Sequence, residues 1–265
     1  MLTLTNKRRV IKKIKEKIVE INKFKLYNQP YIVFKKMYKP IMPLKIFQTW
    51  NTKDLQPKMK EAVENIKTQN PQFEHFLFDD NDCREFIKNN FELNVLKAYD
   101  SLIPGAYKAD LWRYCIIYIH GGIYLDIKFR CINSFKLIEL TDKNHFVKDR
   151  QPPLSIYNAL LACQKNHPFL LMAINKIVEN VKNKFYGLNP LYPTGPQMLG
   201  SLILKKNLKI NIDMYHYNGG GYIIYKNKFI ISTEYREYNS ERTKTYEPLK
   251  TKRYNLLWNE RNIYK

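Results

Sequence analysis

One segment, Pro104 to Arg130, constrains the fold more than any other. Its first half is apolar nearly all round, with Leu111, Trp112, Cys115, Ile116, Ile117 and Ile119. A helix of that kind over about Pro104–Ile119 has no face to give to water and must be buried. Gly121-Gly122 stops it. Beyond the glycines Ile123, Leu125, Ile127 and Phe129 alternate with Tyr124, Asp126, Lys128 and Arg130. That period of two predicts a strand over Ile123–Phe129, apolar set to the core and polar set to solvent or a cleft.

The rest of the chain repeats the theme. Lys45-Ile46-Phe47-Gln48-Thr49-Trp50 reads as a strand, Pro57–Lys67 as a helix, Phe73–Phe78 as a strand and Cys83–Asn89 as a helix. Asn158–Cys163 and Pro168–Lys184 read as helices, and the C-terminal third mixes strands with Gly-rich and Tyr-rich turns. Such alternation predicts an α/β domain with a mostly parallel central sheet flanked by helices. At 265 residues there is room for one such domain, over 41–265,. A basic helical segment, 1–40, precedes it, and prolines 30, 40 and 43 punctuate the join.

Within that segment Ile11, Ile14, Ile18 and Ile21 recur at spacings of three and four, with lysines on the other faces. The pattern predicts an amphipathic helix over Lys7–Lys25. Its apolar stripe is narrow and lacks Trp, so packing on the body is the first expectation. An anionic membrane surface or a protein partner is the alternative. No apolar run approaches the ~20 residues of a membrane span; Cys115 to Ile119, for one, is five residues long,. The N-terminus has no signal-like apolar stretch. A cytoplasmic chain is expected, with membrane association through the basic helix as the variant.

A hydrophobic content of 45% supports a real core,. The four cysteines, Cys83, Cys115, Cys131 and Cys163, form no C-x-x-C pair, so neither a zinc site nor a disulfide framework is expected,. The formal charge of +21 invites a nucleic-acid reading,. However, residues 1–40 hold 12 Lys/Arg against 2 acidic residues, about half the excess. No basic stripe interleaves with aromatics as single-strand binders require. Nucleic acid is therefore not the expected partner.

Chemistry concentrates in the same central segment. Asp110 and Arg113 sit three apart, on one face of a buried helix. Burying charge is costly unless it is paired or used. The residues alone leave two readings open: a structural ion pair, or a pair aimed at ligand hydroxyls. Asp126 stands near the carboxyl end of a buried strand, where α/β sheets place ligands. Other features read more plainly. Asp79-Asp80-Asn81-Asp82 precedes a helix and is expected to cap it rather than bind metal. Gly219-Gly220-Gly221 lacks a phosphate-loop context and is expected to be a turn. The five His show no metal spacing, and His216 has no reading.

Four segments in order resemble the glycosyltransferases with the DXD sugar-binding motif. That group includes the initiating α-1,6-mannosyltransferases and, more distantly, the clostridial glucosylating toxins. The segments are Ile46 to Trp50; Pro104 to Tyr114; Gly121-Gly122-Ile123-Tyr124-Leu125-Asp126; and Pro193-Thr194-Gly195-Pro196. The resemblance implies a GT-A fold and retaining transfer of a hexose from a UDP- or GDP-sugar to a glycan or protein hydroxyl. It implies that Asp110 and Arg113 contact donor-sugar hydroxyls and that Asp126 contacts ribose and any Mn²⁺ or Mg²⁺. Gln48, Thr49, Trp50, Lys108, Tyr124, Arg130 and Asn158 would line the donor pocket, Trp50 near the nucleobase. Thr194, Gly195 and Pro196 would border the acceptor, and Trp258 would close as a lid over the diphosphate. His167 before Pro168 matches a helix start common in that family.

Where the family carries a second Asp, this chain has Lys128. On a continuous strand its ammonium would lie on the face of Asp126, roughly 6–7 Å along. It cannot bind a cation, and it can stabilise departing phosphate as a point charge. A dispensable metal is therefore expected, with a metal held by Asp149, Glu247 or Glu260, or a site that binds without turnover, as the rivals.

Overall fold

The computed structural model describes residues 4–32, 37–247 and 250–265. Helix α1 (Leu4–Tyr27) leads to β1 (Lys45–Thr49), α2 (Pro57–Gln69), β2 (Glu74–Phe78), α3 (Asp80–Asn90), α4 (Leu93–Ser101) and α5 (Gly105–His120). Then come β3 (Gly122–Leu125), β4 (Arg130–Cys131), β5 (His145–Lys148), β6 (Ile156–Cys163), α6 (Pro168–Lys182) and α7 (Pro196–Lys206). The chain ends in β7 (Met214–His216), β8 (Tyr222–Tyr225), β9 (Lys228–Ser232), α8 (Tyr238–Tyr246) and α9 (Tyr254–Asn259).

The α/β class is as expected, but the sheet is mixed rather than mostly parallel. Strand order is β2-β1-β3-β6-β5-β7-β8-β9-β4. Only β1/β2, β1/β3 and β5/β7 pair in parallel; the other neighbours are antiparallel. β3 and β4 are joined by residues 126–129 alone, yet they are third and last in the order. Laid flat, those positions would be roughly 29 Å apart at ~4.8 Å per strand. The connecting chain spans about 17 Å at most. The sheet must therefore curl until its edge returns to its middle, and Asp126–Phe129 bridges the gap.

That closure also corrects the strand expected to run through Phe129. β3 stops at Leu125, and Phe129 N–H donates to the Asp126 carbonyl at 3.0 Å, closing a turn. Asp126, Lys128 and Arg130 are thus not one strand face. Gly121 and Gly122 are required before β3, with φ of +67° and +110°, where only glycine is unstrained. A Cβ on Gly122 would also meet the Lys45 carbonyl oxygen at 2.7 Å.

A second correction concerns Asn158–Cys163, which is strand β6 and not a helix. Its residues are nearly all buried, because helices cover one sheet face while the curled sheet closes over the other. A run buried on both faces shows no alternation. Helix α5 behaves as its composition demands: Leu111, Trp112, Cys115, Ile116 and Ile117 are fully buried. Each such side chain contributes ~1.5–3 kcal/mol.

The smaller expectations hold. Asp79 caps α3 in a reciprocal capping box with Asp82. Residues 219–221 turn between β7 and β8, and His167 Nδ1 accepts from Phe169 N–H at the start of α6. All four cysteines are free and buried. After α1 the chain joins the body at Tyr31, which is buried, and Tyr31 O–H donates to Glu139 at 3.0 Å.

Helix α1 itself departs from expectation. Phe24 and Tyr27 pack near its C-terminal end against Phe229 and Tyr217. Val10, Ile11, Ile14, Ile18 and Ile21 instead stay about half exposed, so the stripe does not pack on the body. Side chains of Lys7 and Arg8 lie outside the described set. No helix among the described residues is long and apolar enough to cross a membrane.

Candidate active site

The carboxyl ends of β1 and β3, the start of β6 and the N-terminal half of α5 converge on one cleft of about 1260 Å³. Asp110 and Arg113 enter it from α5. Asp110 Oδ1 accepts from Asn158 Nδ2 at 2.8 Å and Oδ2 accepts from Thr194 Oγ1 at 2.7 Å. Burial pushes the Asp110 carboxyl up, against the opposing pull of Arg113, Thr194 and Asn158. The two carboxylate oxygens are thus held before any ligand arrives. Gly195 makes room for them: a Cβ there would stand 3.2 Å from Oδ2.

Arg113 is the hub. Its Nη2 lies 3.4 Å from Asp110 Oδ1 and its Nη1 lies 3.3 Å from Asp126 Oδ1. Nη1 also donates to the Asn158 carbonyl at 2.9 Å, and the guanidinium sits 4.5 Å from the Tyr124 ring centre. The Asp110–Arg113 pair is thus an ion pair within the chain, and the same cation reaches from the helix to Asp126.

Asp126 is held just past the end of β3. Its N–H donates to the Ala159 carbonyl, extending the β3–β6 ladder, and Tyr124 O–H donates to its Oδ1 at 2.9 Å. Gln48 Nε2 donates to the Asp126 carbonyl at 3.3 Å, and Gln48 Oε1 meets His75 Nε2 at 2.7 Å. Burial holds His75 down to about 4, so at neutral pH it is uncharged and its N–H serves as donor to Gln48. Gln48 acts on the site through the Asp126 backbone and does not itself line the cleft.

The roof is built from the C-terminus. Glu241 of α8 accepts from the N–H groups of Lys58 and Met59 at 2.7 and 3.0 Å, capping α2 and pinning α8 across the opening,. Tyr238 and Tyr246 of α8 pack on Trp50, with Trp50 and Tyr246 edge to face at 5.4 Å. The buried Trp50 Nε1 has no hydrogen-bond partner among the described residues. Lys128 Nζ lies 4.7 Å from the Tyr238 ring centre. Arg242 and Arg253 also act on the Tyr238 hydroxyl, whose pKa burial raises first and nearby Asp126 raises further. Lys128, Arg242 and Arg253 all line the cleft, with Lys128 over Tyr238 and Arg242 over Tyr246.

The expected residues sort as follows. Thr49, Trp50, Lys108, Asp110, Arg113, Tyr124, Asp126, Lys128, Asn158, Gly195 and Pro196 all line the cleft. Thr194 lies behind it, positioning Asp110. Arg130 does not line it: its guanidinium donates to the Lys58 carbonyl and sits over Tyr235. The strand that would have aimed Arg130 inward had already ended. Trp258 is no lid either, since its Nε1 donates to the Tyr186 carbonyl at 2.8 Å and the ring stays outside the cleft.

The donor set fits a divalent ion poorly. Asp126 Oδ1 is taken by Tyr124 and Arg113, and Lys128 replaces the second carboxylate. Asp149 pairs with His216 and Glu260 with Lys252. Among the described residues no three His, Cys, Asp or Glu side chains gather as a metal set. Sequence reasoning missed Arg150, Tyr157, His216, Tyr238, Arg242, Arg253 and Tyr254, all cleft residues. They reach it through the curl and the returning C-terminus, and no local pattern marks them.

Residues 56–147 match the family described as "Glycosyltransferase sugar-binding region containing DXD motif". Inositol phosphoceramide mannosyltransferase 3 of Schizosaccharomyces pombe is 34% identical over 159 residues, 60% of this chain and 44% of that protein. Inositol phosphoceramide mannosyltransferase 2 of the same yeast is 24% identical over 221 residues, 72% of this chain and 63% of that protein. The chain thus spans about half the length of the curated relatives it matches. Among solved structures, the PaToxG glycosyltransferase matches with a TM-score of 0.49 at 16% identity, covering 75% of this chain and 78% of that one. The matched span, residues 56–147, carries Asp110, Arg113 and the variant Asp126-Ile127-Lys128.

Proposed function

We propose that this protein transfers a hexose, mannose on the example of its relatives, from a nucleotide sugar to a hydroxyl of a glycan or glycolipid. The observation that carries the reading is Arg113, which joins Asp110 to Asp126 at the wall of a cleft large enough for a nucleotide sugar. In this reading Asp110 and Arg113 hold sugar hydroxyls, and the base lies toward Trp50, which lines the cleft.

Lys128, Arg242 and Arg253 would meet the departing diphosphate. Charge that develops on a leaving phosphate is stabilised by cations already in place, with no reorganisation at the moment of reaction. Transfer would proceed by front-face displacement with retention. Supporting this, both oxygens of Asp110 and of Asp149, and Oδ1 of Asp126, are engaged by neighbouring donors. A divalent ion would be dispensable.

Helix α1 would dock the enzyme on an anionic membrane, which suits a glycolipid acceptor. Its half-exposed isoleucines lie among Lys12, Lys13, Lys15 and Lys17, the pattern of an interfacial helix,.

The test is nucleotide release from GDP-mannose, UDP-glucose, UDP-galactose and UDP-N-acetylglucosamine, each with Mn²⁺ and with EDTA. Turnover of one donor is the expected result. Saturable nucleotide binding without turnover of any would replace the enzyme with a binding module.

A further inference from the structure

Two histidine–aspartate pairs lie in the curled sheet, and they differ in one respect. His145 Nδ1 lies 2.8 Å from Asp213 Oδ1, but its Nε2 is sealed in the core without a partner. His216 Nδ1 lies 3.0 Å from Asp149 Oδ1, and His216 lines the cleft. Its Nε2 has no hydrogen-bond partner among the described residues and is not sealed from the cleft. The first pair is structural. The second has an unused nitrogen where a substrate would lie.

The geometry fixes the tautomer. Asp149 is held below the usual carboxylate range: burial pushes it up, but the His216 hydrogen bond and Arg150 prevail. An ionised carboxylate accepts, so Nδ1 carries the hydrogen, and in the neutral ring the lone pair is on Nε2. The imidazole is also oriented by Tyr157, stacked on it at 4.1 Å between centroids and 23° between planes. Tyr157 is itself close enough to Asp126 for that carboxylate to raise its hydroxyl, after burial. Asp126 N–H donates to Ala159, two residues along β6 from Tyr157, and Asp126, Tyr157 and His216 line the same cleft. Besides Asp149, the groups facing the pair are Arg150 beyond β5, Tyr157 on β6, and Tyr254 across the cleft on α9.

We propose that His216, oriented by Asp149, is the base that activates the acceptor hydroxyl, an inference resting on the glycosyl-transfer reading above. The acceptor oxygen forms a bond to the anomeric carbon. The bond from that carbon to the diphosphate oxygen breaks, and the electron pair stays on the diphosphate. The acceptor proton passes to His216 Nε2 and then to water, and Asp149 stabilises the transient imidazolium.

The experiment compares wild type, His216→Gln and Asp149→Asn. Nucleotide release is measured with water as acceptor and with methyl α-mannoside, across the four donors and from pH 5 to 9. Nucleotide affinity is read separately by calorimetry. His216→Gln should lower kcat about 10²-fold at pH 7, keep the nucleotide Kd within about two-fold, and lose the fall in kcat toward acid that a histidine base imposes. Asp149→Asn should lower kcat by a smaller factor and leave the nucleotide Kd unchanged, because the ring loses the carboxylate that orients it and stabilises the imidazolium. Wild-type turnover matched by His216→Gln in kcat and pH profile overturns the base and leaves the transfer reading intact. A wild type that turns over no donor overturns both.

Discussion

Arg113 Nη1 stands 3.3 Å from Asp126 Oδ1 while Nη2 of the same guanidinium stands 3.4 Å from Asp110 Oδ1. One planar fork thus spans helix α5 and the turn after β3, and a lysine cannot copy it. Arg113→Ala would leave two carboxylates facing each other at the cleft wall without their counter-charge. The expected cost is about 3–5 kcal/mol in urea unfolding, as for breaking a buried pair. Arg113→Lys should recover part of that stability but leave kcat/KM at least roughly 10²-fold down, because positioning and not charge is lost. Equal activity in the lysine variant would show that the fork is not needed.

Lys128 offers a sharper test of the diphosphate site. It sits over Tyr238, and Arg242 and Arg253 line the same cleft. Wild-type turnover should be unchanged by EDTA. Lys128→Ala should lower kcat by roughly 10²- to 10³-fold, the scale for removing one preorganised stabilising group. Lys128→Asp restores the two-carboxylate pattern and should make the remaining activity depend on Mn²⁺. EDTA-sensitive wild-type activity restored by Mn²⁺ would refute the exchange of metal for ammonium.

The residues nearest the chemistry were legible because they lie in one continuous segment. Helix α5, its Gly-Gly stop and Asp126 follow from local pattern, and burial of Asp110 and Arg113 follows from the helix around them. The path of the chain after Leu125 was not legible. Ile127 and Phe129 continue the alternation, yet β3 ends because the sheet curls and β4 must pair with β9, a partner about a hundred residues away. The same non-local closure misled the reading of Arg130 and hid His216, Arg242 and Arg253. Strand β6 was mistaken for a helix for the complementary reason: burial on both faces erases the period that tells the two apart.

His75 carries a pH prediction that needs no substrate. Burial holds it down to about 4, below the ordinary histidine value near 6.5. The folded pKa is therefore lower than the unfolded one. Stability from the neutral ring is complete above about pH 6.5 and drains away as pH falls toward 4, up to roughly 3 kcal/mol in all. Urea midpoints between pH 7 and 4 should show this loss in wild type. His75→Gln, which can still donate to Gln48, should flatten that part of the curve. An unchanged slope in the variant would place the acid sensitivity elsewhere.

Helix α1 should bind membranes by its stripe and its charge together. Ile14 and Ile18 are one turn apart and about half exposed, far from the Phe24 and Tyr27 contacts that fix the helix to the body. Ile14→Glu with Ile18→Glu should abolish sedimentation with vesicles of phosphatidylcholine and phosphatidylserine while leaving the melting temperature unchanged. Wild type should bind phosphatidylcholine vesicles far less, and raising salt should weaken its binding to the anionic ones, because lysines supply part of the attraction and are screened. Concentration-dependent self-association lost in the same double variant, with no vesicle binding in wild type, would instead assign the stripe to a second copy of the chain.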